Sequence, residues 1–131
     1  MSEGSKYKVT DNLIYAGFRN RDGEKVVFVD KKPEDIESHP TYQHGIINGI
    51  KGSASAKEIE PKGELNYDAQ DKHEWGYIGG GPTTTAASIL NHLLGEENAR
   101  EEMIDFAKNF LAGAEEEWHI ESSEIPQYME E

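Results

Sequence analysis

The part of the sequence best suited to chemistry is a run of three glycines followed by a proline and three threonines, over residues 79–85. A glycine-rich turn lets backbone N–H groups converge, and the start of a helix adds partial positive charge, so the pair can bind phosphate or carboxylate. Threonine hydroxyls could add hydrogen bonds, and nearby aromatic rings could stack on a base. The candidate ligand-binding residues are Gly79, Gly80, Gly81, Thr83, Thr84, Trp75, Tyr77 and, as a counter-charge, Arg19.

The same residues have a purely structural interpretation. No lysine follows the glycines as in a P-loop, and their spacing is not that of a dinucleotide fold. In this interpretation the turn is a tight strand-to-helix connection whose glycines allow close packing. Trp75 would then lie in the core, and Arg19 would pair with a surface carboxylate. The sequence leaves both interpretations open.

The remaining reactive side chains show no catalytic or metal-binding pattern. The chain has five histidines and no cysteine, and no two histidines have the helical i, i+4 spacing with an intervening glutamate that zinc hydrolases use. The serines lack the context of a nucleophile elbow. We therefore expect no cofactor and no bound metal, and the residues favour a non-enzymatic binding module over an enzyme without settling the question.

The acidic residues are concentrated in the C-terminal third of the chain. The 131 residues carry a formal charge of −13, and residues 96–131 hold 12 acidic and 2 basic side chains, a net charge of −10. Such a field repels nucleic acid and anionic lipid, so we expect neither as a partner. The acidic region is either a solvated surface, an adaptation to high salt, or a nucleic-acid-like surface that contacts a basic protein. The candidate partner-binding residues are Glu97, Glu101, Glu102 and Asp105.

The elements that would position these residues form a single domain over residues 12–131, after a polar tail at 1–11. Two β-rich runs around Asp22-Gly23 predict a hairpin over 13–29. A polar insert at about 31–72 contains short elements near 45–50 and 64–67, or is partly disordered over 52–63. The run at 73–78 predicts a third strand with Trp75 and Tyr77 on the same face.

Two helices and a last strand complete the predicted fold. Apolar residues at helical spacing predict helices over 83–94 and 96–112, with Pro82 in the first turn and Gly95 between them. A short strand is expected over 118–121. The fold class is therefore α+β, with a small, mostly antiparallel sheet and two helices on one face.

Several of these residues resemble the pattern of a known family. The residues that carry the resemblance are Tyr15, Gly17, Arg19, Val27, Val29, Asp30, the run 74–77, Gly79, Gly81, Pro82, Ala86, Ile89, Leu90, Phe106, Trp118, Ile120 and Ile125. Together they resemble DUF6166, a family of unknown function made up of small stand-alone proteins from bacteria, archaea and mobile elements. Two departures are a longer insert over about 34–72 and Gly80 where the pattern has serine. The resemblance implies an intracellular protein associated with phages or plasmids, and no activity.

Two functions from different classes follow. The leading hypothesis is a small module that binds a small anion or nucleotide at residues 79–85. The alternative is an acidic interaction factor, of the anti-defence or regulatory kind, that contacts a basic protein. No apolar run is long enough for a membrane span, so we expect a cytoplasmic protein. It would be a monomer, or a homodimer formed through a free sheet edge.

Overall fold

The computed structural model describes residues 9, 12–31, 42–65 and 71–129, and for residues 42–44 the backbone alone. These residues form a four-stranded antiparallel sheet with helices on both faces, so the α+β prediction is confirmed. Except for Val9, the predicted polar tail lies outside the described residues.

The first two strands form the predicted hairpin. Strand β1 (Leu13–Arg19) pairs with strand β2 (Lys25–Lys31) in a register that runs from Leu13 opposite Lys31 to Arg19 opposite Lys25. The side-chain oxygen of Asn20 accepts hydrogen bonds from the N–H groups of residues 22 and 24, both at 2.9 Å. Gly23 has a φ of 85°, which only glycine adopts at little cost. The turn chemistry read from the sequence therefore fixes the hairpin.

The sheet is completed by one predicted strand and one that the sequence did not reveal. Its order is β3-β2-β1-β4, with β3 (Lys57–Ile59) at one edge and β4 (Trp118–Glu121) at the other. The strand expected at 118–121 is confirmed. The strand expected at 73–78 is wrong, because those residues form a loop. Gly76 has a φ of 92° there, a left-handed conformation that breaks an extended strand.

The polar insert is ordered where it is described. Helix α1 (Tyr42–Lys51) contains the element expected near 45–50, and β3 lies within the stretch for which partial disorder was an alternative. A short 3-10 turn covers Gly63–Leu65, while residues 66 and 67 of the expected element lie outside the described residues. Hydroxyls of Ser53 and Ser55 each donate to the carboxylate of Asp30 at 2.7 Å, which holds the α1–β3 connection on β2.

The titration of Asp30 reflects this arrangement. Burial by itself raises the pKa of the Asp30 carboxyl, but the hydrogen bonds from Ser53 and Ser55 outweigh burial and lower that pKa below its usual value. An ionised Asp30 therefore accepts both hydroxyls at neutral pH. This gives the aspartate a structural role at the base of the insert.

Helices α2 (Gly80–Leu94) and α3 (Glu96–Asn109) cover one face of the sheet, as predicted. Helix α2 begins three residues earlier than expected, and α3 ends at Asn109, before a 3-10 turn over Leu111–Gly113. Their main core contains the following buried side chains: Tyr15, Val27, Ile89, Leu90, Met103, Phe106, Leu111, Trp118 and Ile120. No helix in the described ranges combines the length and apolar character needed to cross a membrane.

The opposite face of the sheet carries a second, smaller core. Alternating side chains of β1 point to opposite faces, so Tyr15 joins the α2–α3 core while Ile14 and its neighbours two residues apart face the other way. Helix α1 covers that second face. The second core consists of Ile14, Ala16, Phe18, Val26, Ile46, Ile47 and Ile50. The insert is therefore part of the folded domain, and the sheet lies between two helical layers.

Candidate functional site

The glycine-rich turn lies at the start of α2, where the chain leaves the 71–79 loop. Gly79 is the N-cap residue of α2 and has an extended backbone. As a glycine it offers no side-chain hydrogen bond to cap the helix. The hydroxyl of Thr83 donates to the Gly79 carbonyl at 2.8 Å, and the Thr83 N–H bonds the same oxygen at 3.2 Å. The first threonine hydroxyl is thus engaged within the protein.

The next two threonines are buried. Thr84 and Thr85 are fully shielded from solvent, so neither side chain faces a position where a ligand could sit. The Thr85 hydroxyl oxygen accepts the N–H of Glu74 at 2.8 Å and lies 3.2 Å from Nδ1 of His73. These bonds attach the loop to the first turns of α2. The Thr85 hydroxyl therefore organises the loop, and ligand binding by Thr83 and Thr84 stays a prediction.

His73 links this loop to the edge of the sheet. Its Nε2 lies 2.7 Å from the carbonyl oxygen of Ile59, the last residue of β3. A carbonyl can only accept, so Nε2 carries the proton and Nδ1 is left to accept from the Thr85 hydroxyl. Burial lowers the pKa of His73, against the opposing effects of the Ile59 hydrogen bond and the charge of Glu60. His73 is therefore a neutral bridge between β3 and α2, which no spacing in the sequence indicated.

Two of the three glycines make room for neighbouring side chains. A Cβ placed on Gly79 would lie 3.0 Å from the ring carbon Cε2 of Tyr77. A Cβ on Gly81 would lie 2.7 Å from Cβ of Glu74 and 2.8 Å from the Tyr77 hydroxyl oxygen. The contacts at Gly81 are steric clashes, whereas 3.0 Å at Gly79 is a tight contact that a small shift of the Tyr77 ring would relieve. The geometry therefore gives Gly81 a packing role, as in the structural interpretation of the motif, and places Gly79 against the Tyr77 ring.

Trp75 and Tyr77 do not lie side by side. Trp75 is buried and packs edge-to-face against Trp118 at 5.4 Å between ring centroids, so it belongs to the core. Tyr77 is 48% exposed and Ile78 is 76% exposed. The prediction that the two aromatic residues share a strand face is therefore wrong, because Gly76 turns the chain between them.

Arg19 bonds to groups outside the glycine-rich turn. Its guanidinium pairs with the carboxylate of Glu116 and donates to the carbonyl of Gly23 at 2.7 Å. This is the pairing with a surface carboxylate that the sequence offered as the alternative. A cation that contacts the 71–79 loop is Lys25, whose Nζ lies 2.9 Å from Oε1 of Glu74 and 5.1 Å from the centroid of the Trp75 ring.

A groove that the sequence did not reveal lies between the hairpin, β3 and the loop. Its volume is about 420 Å³. Its charged lining consists of the carboxylates Glu24, Glu58, Glu60, Asp71 and Glu74, and of Arg19, Lys25 and Lys72. Burial raises the pKa of Glu58, and the nearby charges of Glu60 and Glu24 raise it further. The groove therefore opposes an anion. In the described part of the chain, histidines and carboxylates form no group of three or more that could hold a metal ion.

The outer side of α3 carries the predicted acidic residues, with one exception. Glu97 and Glu101 are exposed and Asp105 is half-buried. Ile104, 52% exposed, lies on the same side as Glu97 and Glu101, with Arg100 and Lys108 one turn before and after it. Glu102 is only 9% exposed, so its predicted place on the outer side is wrong. It lies three residues after Ala99 and four before Phe106, both buried, and side chains at these spacings share a helix face.

More carboxylates follow between α3 and β4. Glu115 and Glu116 are exposed, and Glu117 is half-buried and pairs with Lys51 of α1 at 3.3 Å. We use the term acidic surface for Glu97, Glu101, Asp105 and Glu115, four carboxylates in the C-terminal third, three of them on α3 and one in the segment that leads to β4.

Comparison with known proteins yields one match. The family model of DUF6166, described as a family of unknown function, matches residues 15–131, which is nearly the whole chain. No curated protein and no solved structure shows a significant match to the chain.

Proposed function

The chain belongs to DUF6166, and we propose that this member of the family is a protein-interaction module whose acidic surface docks on a basic surface of a partner protein. The observation that carries the proposal is the outer side of α3, where Ile104 is exposed on the same side of the helix as Glu97 and Glu101, with charged side chains one turn away in both directions. An exposed apolar residue bordered by charged side chains resembles the centre and rim of protein interfaces. The excess of carboxylates over basic residues on this helix favours a cationic partner.

The distribution of charge supports a partner of this kind. Clustered charge of one sign steers an oppositely charged protein towards it and repels partners of like charge. Helix α3 carries five carboxylates and two basic side chains, Arg100, which pairs with Glu96 at 2.9 Å, and Lys108 in the last turn, so the helix keeps a negative excess. A basic protein would be attracted most strongly to the part of the molecule where negative charge is most concentrated.

Binding of a small anion or nucleotide at residues 79–85 stays a prediction, and we rank it second. The threonine hydroxyls of Thr83 and Thr85 already bond within the protein, and the ring of Tyr77 lies over Gly79 and Gly81. Among the charged side chains that line the adjoining groove, carboxylates outnumber basic residues by five to three. Each of these features would oppose an anion. Titration of the purified protein with inorganic phosphate and with ATP tests the point, and we expect no rise in melting temperature.

The test of docking compares two triple variants with the same change of charge. One is Glu97→Gln/Glu101→Gln/Asp105→Asn on the acidic surface. The control is Glu24→Gln/Glu58→Gln/Glu60→Gln in the groove. Partners are first captured by crosslinking to proteins of the source organism, then purified and measured against each variant by calorimetry at two salt concentrations.

We expect a partner with net positive charge, and binding at least about 10-fold weaker for the surface variant, which corresponds to about 1.4 kcal/mol. The salt dependence of binding should also fall, because fewer ion pairs are formed. The groove control should change affinity by less than about twofold. Equal losses in both variants, or no loss in the surface variant, would contradict docking through the acidic surface.

A further inference from the structure

We infer that Tyr77 and Ile78, together called the tip, are the apolar anchor with which the protein holds its basic partner. The inference rests on the proposed function and adds to the description of the partner. The partner segment would combine cationic side chains with apolar ones, the cations facing the carboxylates and the apolar groups packing on the tip.

The exposure of the tip is the first observation. Among the described residues, three large apolar side chains are exposed, and two of them are the adjacent residues Tyr77 and Ile78. The Ile78 side chain, 76% exposed, has almost all of its surface available to a partner. Residues that dominate binding are typically apolar or aromatic side chains that become fully buried on association, with tyrosine enriched among them.

The second observation is that the tip is held in place. The N–H of Gly76 donates to the carbonyl of Leu111 at 2.8 Å, and the left-handed backbone of Gly76 turns the chain outwards. On the other side, the Tyr77 ring rests on Gly79 with its hydroxyl above Gly81. Gly79 and Gly81, which in the sequence resemble an anion-binding turn, therefore form the surface on which the Tyr77 side chain packs. A side chain fixed before binding loses little entropy on association, which favours affinity.

The third observation is the position of the tip beside acidic residues. A Cβ on Gly76 would lie 3.5 Å from the carbonyl oxygen of Ala114, the residue before Glu115. With consecutive Cα atoms about 3.8 Å apart, the Cα atoms of Tyr77 and Glu115 are at most about 15 Å apart. An interface of ordinary size, about 800 Å² on each partner, covers both. The tip therefore lies where one basic segment could contact it and Glu115 together.

The test uses selection from a library of random peptides on the immobilised full-length protein. We expect the wild-type protein to enrich peptides that contain both lysine or arginine and large apolar residues. The Ile78→Ser variant should enrich basic peptides without the apolar residues. A peptide selected on the wild type should bind Ile78→Ser about 10-fold more weakly with an unchanged salt dependence. The control Gln127→Ser, at an exposed position outside the tip and the acidic surface, should bind it within about twofold of wild type.

The outcomes separate this inference from the proposed function. Enrichment of basic peptides that bind Ile78→Ser as tightly as wild type would overturn the anchor and leave acidic docking in place. Enrichment of apolar peptides without basic residues would overturn the proposed function, and with it the inference. Absence of any enrichment would overturn both. A loss for Gln127→Ser as large as that for Ile78→Ser would also overturn the inference, because the anchor would not be specific to the tip.

Discussion

In the glycine-rich turn and on the outer side of α3, residue type and the accessibility of the side chains point to opposite conclusions about binding. The turn has the residue types of a binding site, yet its threonines bond inward and its glycines lie under neighbouring side chains. The α3 side has the composition of an ordinary solvated helix, yet it exposes an isoleucine among charged side chains. Residue type alone does not make a site, because chemistry needs groups that are accessible and not already bonded.

The largest expected effect tests whether the turn is packed. Gly81→Ala should destabilise the protein by about 2–3 kcal/mol, because the new methyl group would overlap Glu74 and Tyr77 and the loop would have to shift. Urea unfolding measures the change. Gly113→Ala is the matched control, since a Cβ there meets nothing within 4 Å. A neutral Gly81→Ala would mean that the turn has free space, which would favour the ligand hypothesis.

A somewhat smaller effect is expected from the threonines. Thr85→Val should lower the free energy of unfolding by about 1–3 kcal/mol, because it leaves the Glu74 N–H without its acceptor inside the protein. Thr83→Val removes a hydroxyl that is only half-buried, so its cost should be smaller. If both variants lost the same free energy of unfolding, the hydrogen bonds between Thr85 and the loop would add no more stability than the bond of the Thr83 hydroxyl.

The bridge formed by His73 predicts a pH dependence. Its pKa is lowered by burial, so near and below pH 6.5 the unfolded chain binds a proton at this residue that the folded protein does not. Stability contributed by neutral His73 is therefore present above about pH 6.5 and is lost as the pH falls towards the folded pKa, with a slope of up to about 1.4 kcal/mol per pH unit.

The measurement is urea unfolding between pH 7.5 and 5 for wild type and His73→Gln. The variant should be less stable at pH 7.5, and its stability should fall less steeply with acidification. Burial also lowers the pKa of His119, so His119→Gln is measured alongside to separate the two contributions. An unchanged slope in His73→Gln would rule out this histidine as the source.

The parts of the fold that follow from local chemistry were predictable. The Asp-Gly turn and its flanking β-rich runs are enough to predict the hairpin. Apolar residues at helical spacing are enough to predict α2 and α3. Strand β3 was not predictable, because of its three residues only Ile59 is buried and the other two are charged and exposed. Its place depends on pairing with β2, which lies far away in the sequence.

The error at residues 73–78 has the same origin. Tryptophan, tyrosine and isoleucine favour a strand by propensity, but the N–H of Glu74 bonds to Thr85 and the N–H of Gly76 bonds to Leu111. Tertiary hydrogen bonds therefore override local preference. For the site, the sequence identified the glycines and threonines but not their partners, since Tyr77 and His73 reach them only after the loop has folded.

The smallest expected effect on stability completes the comparison. Neutralising Glu97, Glu101 and Asp105 together should change the free energy of unfolding by less than about 0.5 kcal/mol, because surface charges outside a buried network contribute little. Relief of repulsion between the carboxylates is opposed by the loss of Glu97 from the first turn of α3, where a negative charge is favourable, and both effects should shrink in high salt. Urea unfolding at low and high salt measures both. A loss above about 1 kcal/mol would show that these carboxylates hold the fold together, and their weakening of partner binding could then reflect damage to the fold. If stability is unchanged, weaker partner binding by this triple variant can be assigned to docking and not to unfolding. Substitutions in the glycine-rich turn cannot make that distinction, because they also destabilise the fold.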